Sequence, residues 1–179
     1  MQEKIIILDF GSQYTQLIAR RIREMQVYCE IHPFNRMPEL DSSVRGVILS
    51  GSPSSVRDDQ APRIDLDGIK GRLPLLGICY GAQYLAHFFG GRVEASASRE
   101  YGRSQMRVVE ADDALMQSLS PRSQVWMSHG DTITSIPDAY RIVASTDDVA
   151  IAAYRIDGEQ TWGIQFHPEV YHSTEGKTL

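Results

Sequence analysis

The chain predicts an α/β fold: a doubly wound, mostly parallel sheet flanked by helices, with a small antiparallel β extension in its second half. Three observations carry this. In the first half, short β-branched runs without polar alternation, the pattern of strands buried on both faces, alternate with segments of helical periodicity. Glycine and serine punctuate the joints between them. From about Ser98 the texture changes to a succession of short β-rich segments.

The elements follow in order. "KIIILDF" is a continuous apolar run suited to a central parallel strand, and it ends at Gly11-Ser12. Ser12 is placed to N-cap a helix over "QYTQLIARRIREM", in which Leu17, Ile18, Ile22 and Met25 recur at helical spacing. The arginines of "ARRIRE" read as the solvated face of that helix. "VYCEIHPF", "RGVILSG" and "LPLLGIC" are the second, third and fourth strands, and "GAQYLAHFFGG" is a helix closed by a glycine pair. Between the third and fourth strands, Ser52 to Asp67 is polar and reads as a mobile connection. "SQMRVVE", "SQVWMSHGD", "YRIVAST", "IAAYRID" and "TWGIQFHPE" then read as antiparallel strands, added to the sheet edge or forming a small second sheet. No linker or repeat divides the chain, so residues 1–179 are expected to form one domain, with ligands at the carboxyl ends of the parallel strands.

Composition narrows the classes of function. A net charge of −5 lacks the basic footprint that phosphate backbones require, which argues against nucleic acid as the main partner. The apolar runs are far shorter than the ~18 residues of a membrane span, and the opening "MQEKIIILDFGS" has no cleavage-site pattern. Two cysteines, Cys29 and Cys79, could make at most one disulfide, which a core of this size does not need; a reducing, cytoplasmic setting is expected.

Of the two cysteines, Cys79 stands out. A strand, then Gly77-x-Cys79-x-Gly81, then a helix is the pattern of a nucleophile elbow, which exposes a side chain above the sheet at the positive end of a helix. Cys29 has no such context. A thiol nucleophile needs a base and a group to orient the base. Among five histidines, His32, His87 and His172 read as structural or solvated, while His129 in "MSHGD" is placed to line a pocket. His167 in "QFHPE" is followed two positions on by Glu169; in extended geometry the two side chains share a side, so the carboxylate can accept the second imidazole N–H. The constellation is Cys79, His167 and Glu169, in the logic of a triad. Gly51 in "LSGSPSS" can bring its backbone N–H close to a ligand, and with the N–H of Tyr80 it would form an oxyanion hole.

Taken together, "ILDFGSQYTQLIARRIRE", "ILSGSPSSV", "GICYGAQ", "WMSHGD" and "GIQFHPEVYHSTEG" resemble the class I glutamine amidotransferases, and most closely the glutaminase domains of the GMP synthetase subfamily. The resemblance implies that Cys79 attacks the side-chain amide of L-glutamine, that His167 acts as base and acid with Glu169 orienting it, and that Gly51 and Tyr80 donate to the oxyanion. It further implies substrate contacts from Gln83, Ser128, His129 and Gly130, with Asp131 a weaker candidate for the α-ammonium. Two positions depart from the family pattern: Ser52 stands where a second glycine is common and Ala82 where Met is common. The resemblance implies no cofactor or metal in this chain. It places ATP and Mg in an ATP pyrophosphatase domain or subunit, the implied partner, which aminates xanthosine monophosphate. "SGSPSSV" lacks the Gly-Lys-Ser/Thr ending of a phosphate loop. A gamma-glutamyl hydrolase of the same fold is the alternative; free glutamine as substrate would discriminate against it.

Overall fold

The computed structural model describes residues 2–179, and of residues 98–100 the backbone only. In chain order the elements are β1 (Lys4–Asp9), α1 (Thr15–Glu24), β2 (Cys29–Pro33), β3 (Val44–Leu49), β4 (Leu75–Ile78), α2 (Tyr80–His87), β5 (Arg92–Val108), β6 (Arg122–Ser135), β7 (Tyr140–Thr146), β8 (Ala153–Ile156) and β9 (Thr161–Ile164). All nine strands join one sheet in the order β2-β1-β3-β4-β9-β8-β7-β5-β6. Of the two arrangements the sequence allowed for its second half, the edge extension is the one found. Strands β2, β1, β3, β4 and β9 run parallel, and β8, β7, β5 and β6 continue antiparallel.

The isoleucine run of β1 explains how one strand serves two layers. Successive side chains point to opposite faces, so Ile6 and Leu8 join one cluster and Ile7 the other. On the first face α2 packs Ala82, Leu85 and Ala86 against Leu49 and Tyr154. On the second, α1 contributes Ile18, Ala19 and Ile22, packed with Ile7, Ile78 and Ile164. Each such leucine or isoleucine side chain, once fully buried, stabilises the fold by about 1.5–3 kcal/mol.

Several sequence expectations are revised. Residue Tyr14, not Ser12, is the N-cap of α1; Ser12 Oγ instead accepts the Tyr14 N–H at 3.0 Å, a turn that delays the helix. Among the described residues only α1 and α2 are α-helices, and the β2–β3 and β3–β4 crossovers are made of turns. Prolines 53 and 62 with a run of Ser and Asp keep the second crossover from becoming helical. That connection is also anchored rather than loose: Tyr80 Oη donates to the Pro62 carbonyl at 2.6 Å and Tyr84 Oη to the Ile64 carbonyl at 2.8 Å, while Val56 and Leu66 are buried. The antiparallel region begins at Arg92, earlier than the change of texture at Ser98, with an irregularity between Ala95 and Glu100. Finally, β9 is not one more antiparallel addition: it is antiparallel to β8 but parallel to β4, and so completes the parallel half.

The position of β9 decides which residues meet. It pairs with β4 from Leu75↔Thr161 to Ile78↔Ile164, so the segment after Ile164 emerges beside the segment after Ile78. Residues distant in the chain thereby share one sheet edge.

Candidate active site

Cys79 leaves β4 and immediately caps α2, with φ 52° and ψ −105°. A positive φ on a residue with a Cβ costs on the order of 1–3 kcal/mol and persists only where the surroundings impose it. Here they do. The Cys79 N–H donates to the Ile164 carbonyl at 2.8 Å, and α2 is pressed onto the strands beneath it. The two flanking glycines make that pressing possible rather than the turn itself. A Cβ on Gly77 would lie 2.5 Å from the Gly81 carbonyl carbon, and one on Gly81 would lie 2.6 Å from the Leu49 carbonyl oxygen. The strain of the elbow thus falls on Cys79 and the glycines serve close approach.

His167 and Glu169 are both 3% exposed, and Nδ1 of the one lies 2.6 Å from Oε1 of the other. The expected contact is present, but by a different backbone route: Pro168 and Glu169 form a turn after the bridge Phe166↔Met127, not an extended strand. The turn is fixed on several sides. His167 N–H donates to the Trp126 carbonyl at 2.9 Å, Ser173 Oγ donates to the His167 carbonyl at 2.6 Å, and Arg21 Nε donates to the Glu169 carbonyl at 3.0 Å. One arginine expected on a solvated face is therefore a tether of this loop. Burial opposes charge on His167, yet the neighbouring Cys79 sulfur and the Glu169 carboxylate outweigh it and raise the imidazole pKa to about 10. The Cys79 thiol proton has two acceptors in reach. Directed at the Ser128 carbonyl, 3.7 Å from Sγ, it leaves the pair neutral; passed to His167, it leaves a thiolate beside an imidazolium.

Gly51 closes the third side. A Cβ there would meet Ser12 Oγ at 3.4 Å, His167 Cε1 at 3.5 Å and Cys79 Cβ at 3.7 Å, so its backbone stands against both the Cys79 and His167 side chains. Ser50 holds this loop: its Oγ donates to the Gly51 carbonyl at 2.8 Å and accepts the Phe10 N–H at 2.9 Å, and its carbonyl accepts the Gly81 N–H at 3.2 Å. Tyr80 is the first residue of α2, where the helix supplies no internal acceptor for the backbone N–H. Its side chain turns away into the core.

These groups open on a cavity of about 760 Å³, also lined by Gln83, Ser128, His129, Gly130 and Asp131. Gln83 Nε2 donates to the Asp131 carbonyl at 2.8 Å and to Gln165 Oε1 at 3.2 Å. Burial pushes His129 down to about 4, so it is neutral at pH 7; it lies within β6 rather than at a strand-to-loop transition. The Asp131 carboxylate accepts from Ser55 and pairs with Arg57 at 3.1 Å, so its charge is already engaged by the loop opposite. Sequence reasoning missed Ser50, Ser55, Arg57 and Gln165. Ser55 lines the cavity, while Ser50, Arg57 and Gln165 stand one contact behind it, on Gly51, Asp131 and Gln83, and their residue types alone do not announce those contacts. Among the described residues no group of three or more His, Cys, Asp or Glu is arranged to hold a metal ion, and no helix is long and apolar enough to cross a membrane.

An elbow cysteine over a mixed sheet, faced by a His–Glu pair from the end of the neighbouring strand, is an arrangement shared by several cysteine-dependent enzyme classes of this fold. Residues 6–179 match the family model "Glutamine amidotransferase class-I", and the chain belongs to that family. Over all 179 residues it is 61% identical to the "GMP synthase [glutamine-hydrolyzing]" of Cytophaga hutchinsonii and 62% to that of Porphyromonas gingivalis, and it spans 35% of the length of each. Among solved structures it resembles a candidate GMP synthase subunit from Thermoplasma acidophilum, with TM-score 0.79 and 27% identity over 99% of this chain and 89% of that one. A glutamine amidotransferase from Thermotoga maritima shares the fold, with TM-score 0.76 and 19% identity over 95% and 77% of the two chains.

Proposed function

We propose that this chain hydrolyses L-glutamine to glutamate and ammonia through a thioester on Cys79. The observation that carries the reading is the strained elbow at Cys79 facing the buried His167–Glu169 pair across one cavity. Cys79 gives its proton to His167 and attacks the side-chain amide carbon. The resulting oxyanion is received by the backbone N–H groups of Gly51 and Tyr80, each worth about 2.7–4 kcal/mol to the transition state. The imidazolium returns the proton to the departing nitrogen and ammonia leaves. The same imidazole then draws a proton from water, which attacks the γ-glutamyl thioester and frees Cys79. Glu169 holds the tautomer with Nδ1–H and stabilises the imidazolium. Gln83, with both amide N–H groups held by the protein, presents its carbonyl to the substrate, and Ser128, His129 and Gly130 receive the amino-acid end.

The ammonia is taken to serve amination of xanthosine monophosphate to GMP, in partnership with an ATP pyrophosphatase domain or subunit that binds ATP and Mg, in the cytoplasm. The name of the C. hutchinsonii relative and the 35% of its length that this chain spans support this reading. Residues 1–179 are on this view one amidotransferase domain. The test is ammonia release from free glutamine by the chain and by Cys79→Ala, alongside labelling with a glutamine analogue electrophilic at its γ-carbon. Loss of release and of label in Cys79→Ala, with Cys29→Ala unaffected, is expected. Turnover of γ-glutamyl peptides in place of free glutamine would favour the gamma-glutamyl hydrolase instead.

A further inference from the structure

The segment Asp9 to Thr15 is the most conspicuous part of the sequence that glutamine hydrolysis leaves unused. It is tightly built. The Asp9 carboxylate accepts the Gly11 N–H at 2.9 Å and the Thr15 hydroxyl at 2.8 Å, Gly11 turns the chain with φ 92°, and Ser12 Oγ takes the Tyr14 N–H. The Tyr14 carbonyl in turn accepts the N–H groups of Leu17 and Ile18. Both ends of the turn are pinned, and what it delivers is the Tyr14 ring, 5.0 Å from the His167 imidazole and inclined at 69°, an edge-to-face pair.

We propose that Tyr14 is a positioning residue for His167, holding the imidazole in the one plane that serves Cys79 and Glu169 together. This rests on the Cys79–His167–Glu169 reading of the site. The hydrogen bond at Nδ1 limits rotation of the ring about Cβ–Cγ, but coupled changes of χ1 and χ2 can still tilt its plane away from Cys79. Gly51 stands against the Cε1 edge, and the Tyr14 ring supplies the remaining restraint. Core filling does not account for Tyr14. It belongs to neither hydrophobic cluster, is half-buried, and forms the wall between the 760 Å³ cavity and a second one of about 440 Å³ lined by Leu17, Arg21, Trp126 and Tyr171.

The experiment measures steady-state ammonia release by the chain and its Tyr14→Ala, Tyr14→Leu and Tyr14→Phe variants, with Cys79→Ala in the same series. Tyr14→Ala and Tyr14→Leu are expected to lower kcat about 3- to 10-fold with KM for glutamine within about twofold, the range an aromatic contact of this kind supports. Tyr14→Phe, which keeps the ring, is expected to restore kcat. If Tyr14→Ala does not fold, the contrast of Leu with Phe decides. Equal kcat in Leu, Phe and wild type overturns the proposal, and a Phe variant as slow as Leu assigns the effect to the hydroxyl and overturns it too. Glutamine turnover persisting in Cys79→Ala would instead overturn the site reading itself.

Discussion

Replacing Gly81 by alanine tests whether close packing of α2 sets the geometry of the elbow. The added Cβ would stand 2.6 Å from the Leu49 carbonyl oxygen and 2.7 Å from the Leu49 Cβ, atoms of a central strand that cannot swing aside. Ordinary contact begins near 3.4 Å, so the start of α2 must retreat by about 0.8 Å. Two dependencies move with it. The Gly81 N–H bond to the Ser50 carbonyl weakens, and Ser50 is the residue that aims Gly51. The Tyr80 N–H, one residue before, shifts with the start of the helix. A misplacement of about 1 Å costs on the order of 100-fold in rate, equivalent to ~2.7 kcal/mol, while overpacking costs about 1–3 kcal/mol of stability. The assay is ammonia release over a range of glutamine concentrations, paired with thermal unfolding. Gly68→Ala is the control, since a Cβ there meets only Leu40 Cδ1 at 3.7 Å. The expected result is a kcat near one hundredth of wild type in a protein that still unfolds cooperatively. A Gly81→Ala kcat within threefold of wild type would refute the reasoning, because the elbow would then tolerate the shift that its contacts forbid.

Three further outcomes are expected. His167→Ala should be a deeper lesion in kcat than Glu169→Ala, which leaves a base in place with poorer orientation, whereas His129→Ala should act mainly on KM; a ranking with His129 above His167 would reassign the base. Stability should fall on both sides of neutral pH. The raised His167 pKa gives a contribution complete below 6.5 and lost as pH climbs through about 10, and Cys79→Ala should flatten that alkaline limb in denaturant titrations. His129, held down to about 4 by burial, gives a contribution present above 6.5 and lost as pH falls through 4, worth up to about 3 kcal/mol, so His129→Gln should flatten the acid limb. Lastly, with Ser52 beside Gly51 where a second glycine is common, the oxyanion loop is expected to rest in an inactive shape and basal turnover should be low. It should rise when an ATP pyrophosphatase partner carrying xanthosine monophosphate and ATP is added; equal kcat with and without it would remove the gating.

What could be read from the sequence was local. The elbow shows in "GICYGAQ" because the strand, the cysteine and the helix start are contiguous, and β1, β3 and β4 are signalled by their own apolar runs. The positive φ at Cys79 was not readable, since glycines on either side suggest that they, and not the cysteine, absorb the turn. Likewise the Ser52–Asp67 connection looks loose in composition; its anchors are hydroxyls of Tyr80 and Tyr84, donated from α2, which no local pattern announces.

The pairing of Cys79 with His167 shows where local reading stops and topology takes over. The His–Glu pair is visible as two residues two positions apart, yet nothing in "QFHPE" says that it lies beside the cysteine. That comes from β9 entering the sheet parallel to β4 in register Ile78↔Ile164, so that the Cys79 N–H itself bonds the Ile164 carbonyl. Insertion there requires that the four antiparallel strands be laid down beyond it, with β8 returning the chain to pair with β9. The β-rich second half is therefore the means by which His167 reaches Cys79. Lesions in the β8–β9 pairing, such as Gly163→Ala against Tyr154, should disable the site without touching any residue in it.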